Sequence, residues 1–348
     1  MKRLFSFLLV LILATVHLPC QAEEKYSKTI FGYFDTVVSF MGYTDSQESF
    51  DAVCEELTRE MKYLHQLFDG YNSYPGQHNL WYVNHHAGEA PVKVDDVLFD
   101  LLQKCQALQK TPGYEKVNVA MGTVLSLWHN AREEGALPDR TALQAATQHT
   151  DFSKIILNEE EKTVFFADPK IRLDLGAVAK GYAADRLKAV VEDKMPSFLI
   201  SLGGNVYAGD APLDGRKKWG VSVQCPDGVT PIQFGGDMLD VFYVNRMSLV
   251  TSGDYQRYME IDGKRYHHII DPDTCMPANH LRAVTIVCEN GFLADYLSTL
   301  LFLLPYEEGV TLIESIPDAG ALFVLADGSV TMTENLHAIA YSHGATAR

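Results

Sequence analysis

Residues 251–299 open with Thr251-Ser252-Gly253-Asp254-Tyr255, continue through Tyr266-His267-His268-Ile269-Ile270-Asp271-Pro272-Asp273-Thr274, and close on Ala294-Asp295-Tyr296-Leu297-Ser298-Thr299. One stretch thus holds a small-residue turn, a histidine pair, a rigid Asp-Pro turn, and a carboxylate and a hydroxyl four residues apart. Such polar groups suit a divalent cation and an anionic ligand better than they suit a packed core. On a helix, Asp295 and Thr299 fall on one face, about 5–6 Å apart. They offer two hard oxygen donors of the kind Mg²⁺ accepts, with a backbone carbonyl, waters and ligand phosphates left to complete the shell. An isolated Asp and Thr would more simply cap and back-bond their own helix; the neighbouring His268 and Asp271 favour the metal reading.

A second segment, Asp174-Leu175-Gly176-Ala177-Val178-Ala179-Lys180-Gly181-Tyr182, runs from a strand into a predicted helix over 176–192. Its first turn carries only small side chains, so a ligand can approach the backbone closely. Lys180, about one turn in, is placed to meet a phosphate as a point charge. The same small residues also serve tight packing, and neither a Walker loop nor a dinucleotide fingerprint is present.

The wider chain sets limits on partners. Its 348 residues suffice for one large domain or two ordinary ones, and 47% hydrophobic with 21% charged residues is an ordinary globular composition. A formal net charge of -16 excludes the basic footprint that a nucleic-acid or anionic-membrane surface needs. Lys2 and Arg3 precede an apolar run from Leu4 to Val16, which reads as a secretory leader over residues 1–22. Two processing routes stay open: plain cleavage after Ala22, or acylation of Cys20 as a lipoprotein anchor. Both put the mature region, 23–348, outside the cytoplasm, in the periplasm or its equivalent. Cys54, Cys105, Cys225, Cys275 and Cys288 are scattered and odd in number, which predicts isolated thiols with at most one disulfide.

Patterning predicts alternating strands and helices with no long linker. Thr29–Met41 reads as one strand. A helix follows, capped by Asp45 with Glu48 three residues on, and carries Phe50, Val53, Leu57, Met61 and Leu64 on one stripe. Residues 69–78 have loop chemistry. Helices are predicted over 97–108, 121–131 and 141–149, a hairpin turn at Asn158–Lys162, mostly strand after 192, and helices over 291–303 and 306–316.

Taken together these segments resemble the ApbE family of FAD:protein FMN transferases, once labelled thiamine-biosynthesis lipoproteins. The resemblance spans nearly the whole mature chain. It rests on Asp174–Tyr182, Ser201-Leu202-Gly203-Gly204-Asn205, Thr251-Ser252-Gly253, His268 through Pro277 and Ala294–Thr299, with Leu67-Phe68-Asp69-Gly70-Tyr71 and Val117-Asn118-Val119-Ala120-Met121-Gly122 through Trp128 upstream. Two departures stand out: Cys275 follows Thr274 where the family usually has glycine, and Asn118 stands where an acid is common.

The resemblance implies a single α+β domain of the T-fold-like kind, with mixed or antiparallel sheets flanked by helices and FAD in a cleft between lobes. It implies Mg²⁺ held by Asp295, Thr299 and the carbonyl of Ala177, and flavin-pocket positions at Phe34, Tyr71, Asn118, Lys180 and His268. The implied reaction moves the FMN half of FAD onto a threonine hydroxyl of a partner flavoprotein bearing a Ser-Gly-Ala-Thr-like motif, leaving AMP. His268 is the candidate base, and the alternative is that its ring only contacts the flavin. A periplasmic FAD pyrophosphatase giving FMN and AMP, and a non-catalytic FAD carrier, are the other readings. Asp295 is expected in an accessible cleft, so that its replacement by Ala leaves the fold intact. The tail Ser342-His343-Gly344-Ala345-Thr346 is expected to fray, and its partial likeness to the acceptor motif raises self-modification at Thr346 as a remote option.

Overall fold

The computed structural model describes residues 23–226 and 237–348. The leader reading at 1–22, Cys20 included, lies outside the described residues. Strands β1 (Glu24–Tyr33) and β2 (Thr36–Thr44) lead into helices α1 (Gln47–Phe68) and α2 (Leu80–His86). Then come β3 (Val92–Lys93), α3 (Asp96–Gln109), α4 (Gly122–Glu134), α5 (Arg140–Ala146), β4 (Ile155–Asn158), β5 (Thr163–Phe166) and α6 (Ala179–Val191). A run of strands follows: β6 (Phe198–Leu202), β7 (Asn205–Ala208), β8 (Trp219–Gln224), β9 (Met238–Val244), β10 (Met247–Gly253), β11 (Tyr258–Ile261), β12 (Lys264–His267) and β13 (Leu281–Cys288). Helices α7 (Gly291–Leu303) and α8 (Tyr306–Glu314) precede β14 (Gly320–Leu325) and β15 (Val330–Met332).

The main sheet has the order β1-β2-β6-β7-β10-β13-β14-β15, and every neighbouring pair is antiparallel. Its central strands are buried on both faces, and their alternation says by what. In β14, Ala321 and Phe323 join the cluster formed with α1, α6 and α7, whereas Leu322 and Val324 join the one formed with Trp219, Val221 and Phe242 of β8 and β9. Helices therefore cover one face and the β8–β9 hairpin the other, which is why these strands read as continuous apolar runs. A third cluster packs Val124 and Trp128 of α4 against Met259 and Tyr266 of β11 and β12, fixing that hairpin near the site. The α+β class with antiparallel sheets and flanking helices is as expected.

Several local expectations are corrected. The single strand over 29–41 is a hairpin, because Phe34 and Asp35 both take positive φ, 54° and 50°, and two such central residues make the tight turn whose twist matches its strands. Phe-Asp is an unusual pair for that turn, so composition does not announce it. Helix α1 is capped by Ser46, whose hydroxyl accepts from Ser49 N–H at 3.2 Å, one residue beyond Asp45. The Thr251-Ser252-Gly253 segment is the end of β10 and not a turn. Helix α6 starts at Ala179, three residues later than predicted, so Lys180 stands in its first turn and Gly176–Val178 form a separate turn. Cys54, Cys105, Cys275 and Cys288 are free thiols.

The tail is pinned and not frayed. Lys217 N–H donates to the Ala347 carbonyl at 2.6 Å, Tyr243 N–H to Ile339 at 2.8 Å, and the buried Asp240 carboxylate takes the Ser342 N–H at 3.1 Å and its hydroxyl at 2.5 Å. This holds the tail against β8 and β9, removing the mobility on which self-modification at Thr346 depended.

Helices α6 and α7 approach so closely that a Cβ on Gly181 would lie 2.2 Å from the Gly291 carbonyl oxygen and 2.5 Å from Asp295 Cβ. Alanine is the better helix former by about 1 kcal/mol in the abstract, but the overlap here is with backbone. Gly181→Ala is expected to destabilise the protein by about 1–3 kcal/mol. Urea unfolding checks it: a midpoint at or above wild type would mean that the helices can separate freely.

Candidate functional site

The crossing of α6 and α7 builds the floor of the site. A regular helix would send the Gly181 N–H to the Ala177 carbonyl; it donates instead to Asp295 Oδ2 at 2.7 Å. The helical ladder starts one residue later, with Tyr182 N–H on the Val178 carbonyl at 3.0 Å, so the Ala177 oxygen stays outside it. Lys180 Nζ stands 3.5 Å from Asp295 Oδ1. Asp295 is only 3% exposed, which corrects the expectation of an accessible carboxylate: Asp295→Ala would strand a buried N–H, at a cost of about 1–3 kcal/mol. Thr299, half-buried, follows one turn along the same helix. Between them Ser298 bonds to Ser252 Oγ of β10 at 2.8 Å and to the Asp295 carbonyl at 2.8 Å, locking α7 to the sheet.

The two histidines after β11 divide their roles. His267 is saturated: Nε2 meets the Ala278 carbonyl at 2.7 Å and Nδ1 accepts from Ile269 N–H at 3.2 Å. His268, half-buried, meets the Arg257 carbonyl through Nδ1 at 3.2 Å. A carbonyl only accepts, so the proton belongs on Nδ1 and the lone pair on Nε2. Burial, reinforced by the Arg257 guanidinium, His267 and the Lys180 ammonium, drives the His268 pKa down to about 3. In the free protein the neutral ring is therefore the favoured form. Beyond it, Asp271 N–H bonds to the Met276 carbonyl at 2.9 Å and Cys275 N–H to the Asp271 carbonyl at 2.8 Å, closing the Asp-Pro turn. Cys275 sits there at φ 54°, the left-handed region in which glycine is at ease, and its carbonyl takes the Trp128 indole N–H at 2.9 Å.

The remaining sequence-predicted positions come from the N-terminal half. Phe34 tops the β1–β2 hairpin, its N–H on His65 Nδ1 at 3.3 Å; the adjacent Asp35 carbonyl takes Arg257 Nη2 at 3.0 Å. This joins the hairpin to the His268 segment. Tyr71 is 55% exposed on a loop that Asp69 organises by accepting from Tyr71 N–H at 2.7 Å, Asn72 N–H at 3.0 Å and the Tyr74 hydroxyl at 2.8 Å. Its ring lies 4.6 Å from that of His129. Asn118 is committed to its own loop, donating to the Thr150 carbonyl at 2.7 Å and accepting from Ala120 N–H at 2.9 Å. The carbonyl of the next residue takes Asp174 N–H at 2.9 Å, tying this loop to the segment before α6.

Sequence reading missed Arg132, Arg257 and His129, and gave Asp174 no charge role. Burial pushes the Asp174 carboxyl above the usual range, against the Gly176 N–H, His129 and Arg132. These residues belong to α4, to the loop before β11 and to the irregular segment, predicted as a strand, that leads into α6, and no spacing in the chain links them.

Hard oxygen donors beside a lysine at a helix crossing, with arginine and a neutral imidazole above, define a class of site suited to a phosphate ester and a divalent cation. Residues 34–323 match the model of the ApbE family, and the chain belongs to that family. It is 36% identical to the FAD:protein FMN transferase of Treponema pallidum (strain Nichols), over 71% of each chain. With the enzyme of the same name from Klebsiella pneumoniae (strain 342) the identity is 33%, over 72% of this chain and 76% of that one. The crystal structure of the Thermotoga maritima ApbE protein superposes with a TM-score of 0.79 at 26% identity, covering 90% of this chain and 98% of that one. The flavin transferase ApbE of Vibrio cholerae, at 20% identity and a TM-score of 0.75 over 89% and 97% of the two chains, shares the fold.

Two measurements test this geometry. Cys275→Gly and Cys275→Ala both delete the thiol, but only glycine relieves the left-handed backbone, so the glycine variant should be the more stable by about 1 kcal/mol in urea; equal midpoints would show that the turn carries no strain. For His268 the sign follows from its depressed pKa: as pH falls from about 6.5 toward 3, the unfolded ring takes up a proton that the folded ring refuses, and stability is lost. His268→Gln should therefore lose less stability than wild type between pH 7 and pH 4.5. Parallel losses would mean that the ring is not held neutral.

Proposed function

We propose that this protein transfers the FMN half of FAD to a threonine hydroxyl of a partner flavoprotein, releasing AMP, with Mg²⁺ bound at the α6–α7 crossing. The observation that carries the reading is the Gly181 N–H turned from Ala177 to Asp295. It leaves a backbone carbonyl outside the helix ladder, next to a carboxylate and one turn from the Thr299 hydroxyl, and all three are hard oxygen donors that fit Mg²⁺. When bound, the ion supplies charge neutralisation at the diphosphate and at the AMP leaving group. Lys180 and Arg257 contribute fixed positive charge beside it.

In the transfer, the threonine oxygen forms a bond to the phosphorus of the FMN half as the bond from that phosphorus to the bridging oxygen breaks; AMP leaves with the bridging oxygen. The hydroxyl proton goes to Nε2 of His268, whose Nδ1–H is already held by the Arg257 carbonyl. A diphosphate placed beside the ring adds negative charge and raises its pKa from the depressed value of the free protein. Phe34 and the exposed Tyr71 are the aromatic groups offered to the flavin. Asn118 acts by holding the loop under Asp174. The names of the relatives support FAD as donor and a flavoprotein as acceptor. The Ser-Gly-Ala-Thr-like acceptor motif, export after a leader at 1–22 and anchoring through Cys20 complete the proposal. No helix among the described residues is long and apolar enough to cross a membrane.

Incubation with FAD and Mg²⁺, with and without a carrier domain displaying a Ser-Gly-Ala-Thr segment, tests the reaction by intact mass. Added FMN mass on the carrier together with AMP supports transfer; FMN and AMP without a modified carrier indicates a pyrophosphatase, and unchanged FAD a carrier protein. Asp295→Asn keeps an acceptor for the Gly181 N–H while removing the charge, so it should fold normally yet lose at least about 100-fold in rate, the scale of deleting one preorganised electrostatic contact. A rate equal to wild type would place the metal elsewhere.

A further inference from the structure

Phe31 and Val37 are 69% and 49% exposed, although they stand on the hairpin that carries Phe34. The register shows how they come to be presented. Ile30 pairs with Val38, whose side chain is fully buried; side chains alternate along a strand, so Phe31 and Val37 project from the opposite face. The next pair is Tyr33 with Thr36, leaving Phe31 and Gly32 opposite Val37 alone. This is a bulge, with Gly32 at φ 89° and open space where a Cβ would sit. Bulges beside functional sites re-aim side chains. The tip is also held rigidly, through the Phe34 N–H on His65 and the Asp35 carbonyl on Arg257.

Two apolar side chains are thus fixed outward on a tip whose other attachment is Arg257, the residue whose carbonyl orients His268. Strand β1 is the terminal strand of the sheet among the described residues, so an extended segment can lie along its edge. We propose that Phe31 and Val37 are the docking point for the acceptor protein, and that they grip apolar residues flanking the threonine it presents. The inference rests on the transfer reaction proposed above. A macromolecular acceptor must cover the rim of the site to bring its hydroxyl to His268, and at a net charge of -16 apolar contact at this tip supplies affinity that does not depend on the acceptor's charge.

The test uses the full chain carrying Phe31→Ser and Val37→Ser, and two carriers whose Ser-Gly-Ala-Thr segments differ only in flanks, leucine and valine in one and serine in the other. Wild type should show a KM about 10-fold or more lower for the apolar-flanked carrier. The double variant should lose that preference while keeping its kcat at saturating carrier, its FAD affinity and its unfolding midpoint. A double variant that retains wild-type KM and preference overturns the docking assignment and leaves transfer standing. A wild type that modifies neither carrier overturns the transfer reaction itself, and the docking assignment with it.

Discussion

The hydrogen bond from the Gly181 N–H to the Asp295 carboxylate is the constraint around which the rest of the site is arranged. It has a mirror: Asp185 of α6 accepts from the Gly291 and Phe292 N–H groups of α7, both at 2.8 Å. Each helix thus lends a carboxylate to the other's backbone. The exchange needs backbones close enough to touch, and glycine at both 181 and 291 permits it, since a Cβ on Gly291 would stand 2.9 Å from the Gly181 carbonyl oxygen. Close approach buries Asp295, and burial without partners would be costly. Its two oxygens meet an N–H and an ammonium instead. The geometry that makes the carboxylate affordable is the same one that releases the Ala177 carbonyl from the helix.

Charge is distributed against the trend of the whole molecule. A chain of net charge -16 repels anions at long range, yet Lys180, Arg257 and Arg132 gather around His268 and Asp174. The cluster is sustained by fixed backbone contacts more than by ion pairing. Arg257 is held through its guanidinium on Asp35 and through its own carbonyl on His268, so a cation is kept beside a neutral imidazole. Burial, with that cation beside it, disfavours protonation of the imidazole in the free protein.

How much of this was legible in the sequence follows from what each feature depends on. Helix α1 was readable because Phe50, Val53, Leu57, Met61 and Leu64 repeat with the helical period and are all buried. That Asp295 and Thr299 share one helix was readable from their spacing, and both lie on α7. The β1–β2 turn was not, because its two positive-φ residues are Phe34 and Asp35, neither a glycine. Arg132 and Arg257 were not, because their roles arise where separate elements meet: α4 packs against β11 and β12 through Trp128 and Tyr266. The order of the tail escaped too, since Ser342 finds its partner in the buried Asp240, a contact across the fold.

The two departures from the family pattern are explained by the same physics. At 118 the loop asks for a group that donates to the Thr150 carbonyl and accepts from the Ala120 N–H. Asparagine does both, whereas an ionised acid could only accept. At 275 the turn requires φ 54°, and a cysteine there carries a steric cost. The turn tolerates it because the backbone is fixed on three sides: its N–H on Asp271, its carbonyl on the Trp128 indole, and the flanking Ile270–Pro277 bridge. The buried side chain adds apolar contact to the Trp128 cluster, offsetting part of the strain. Both substitutions change what holds a loop in place.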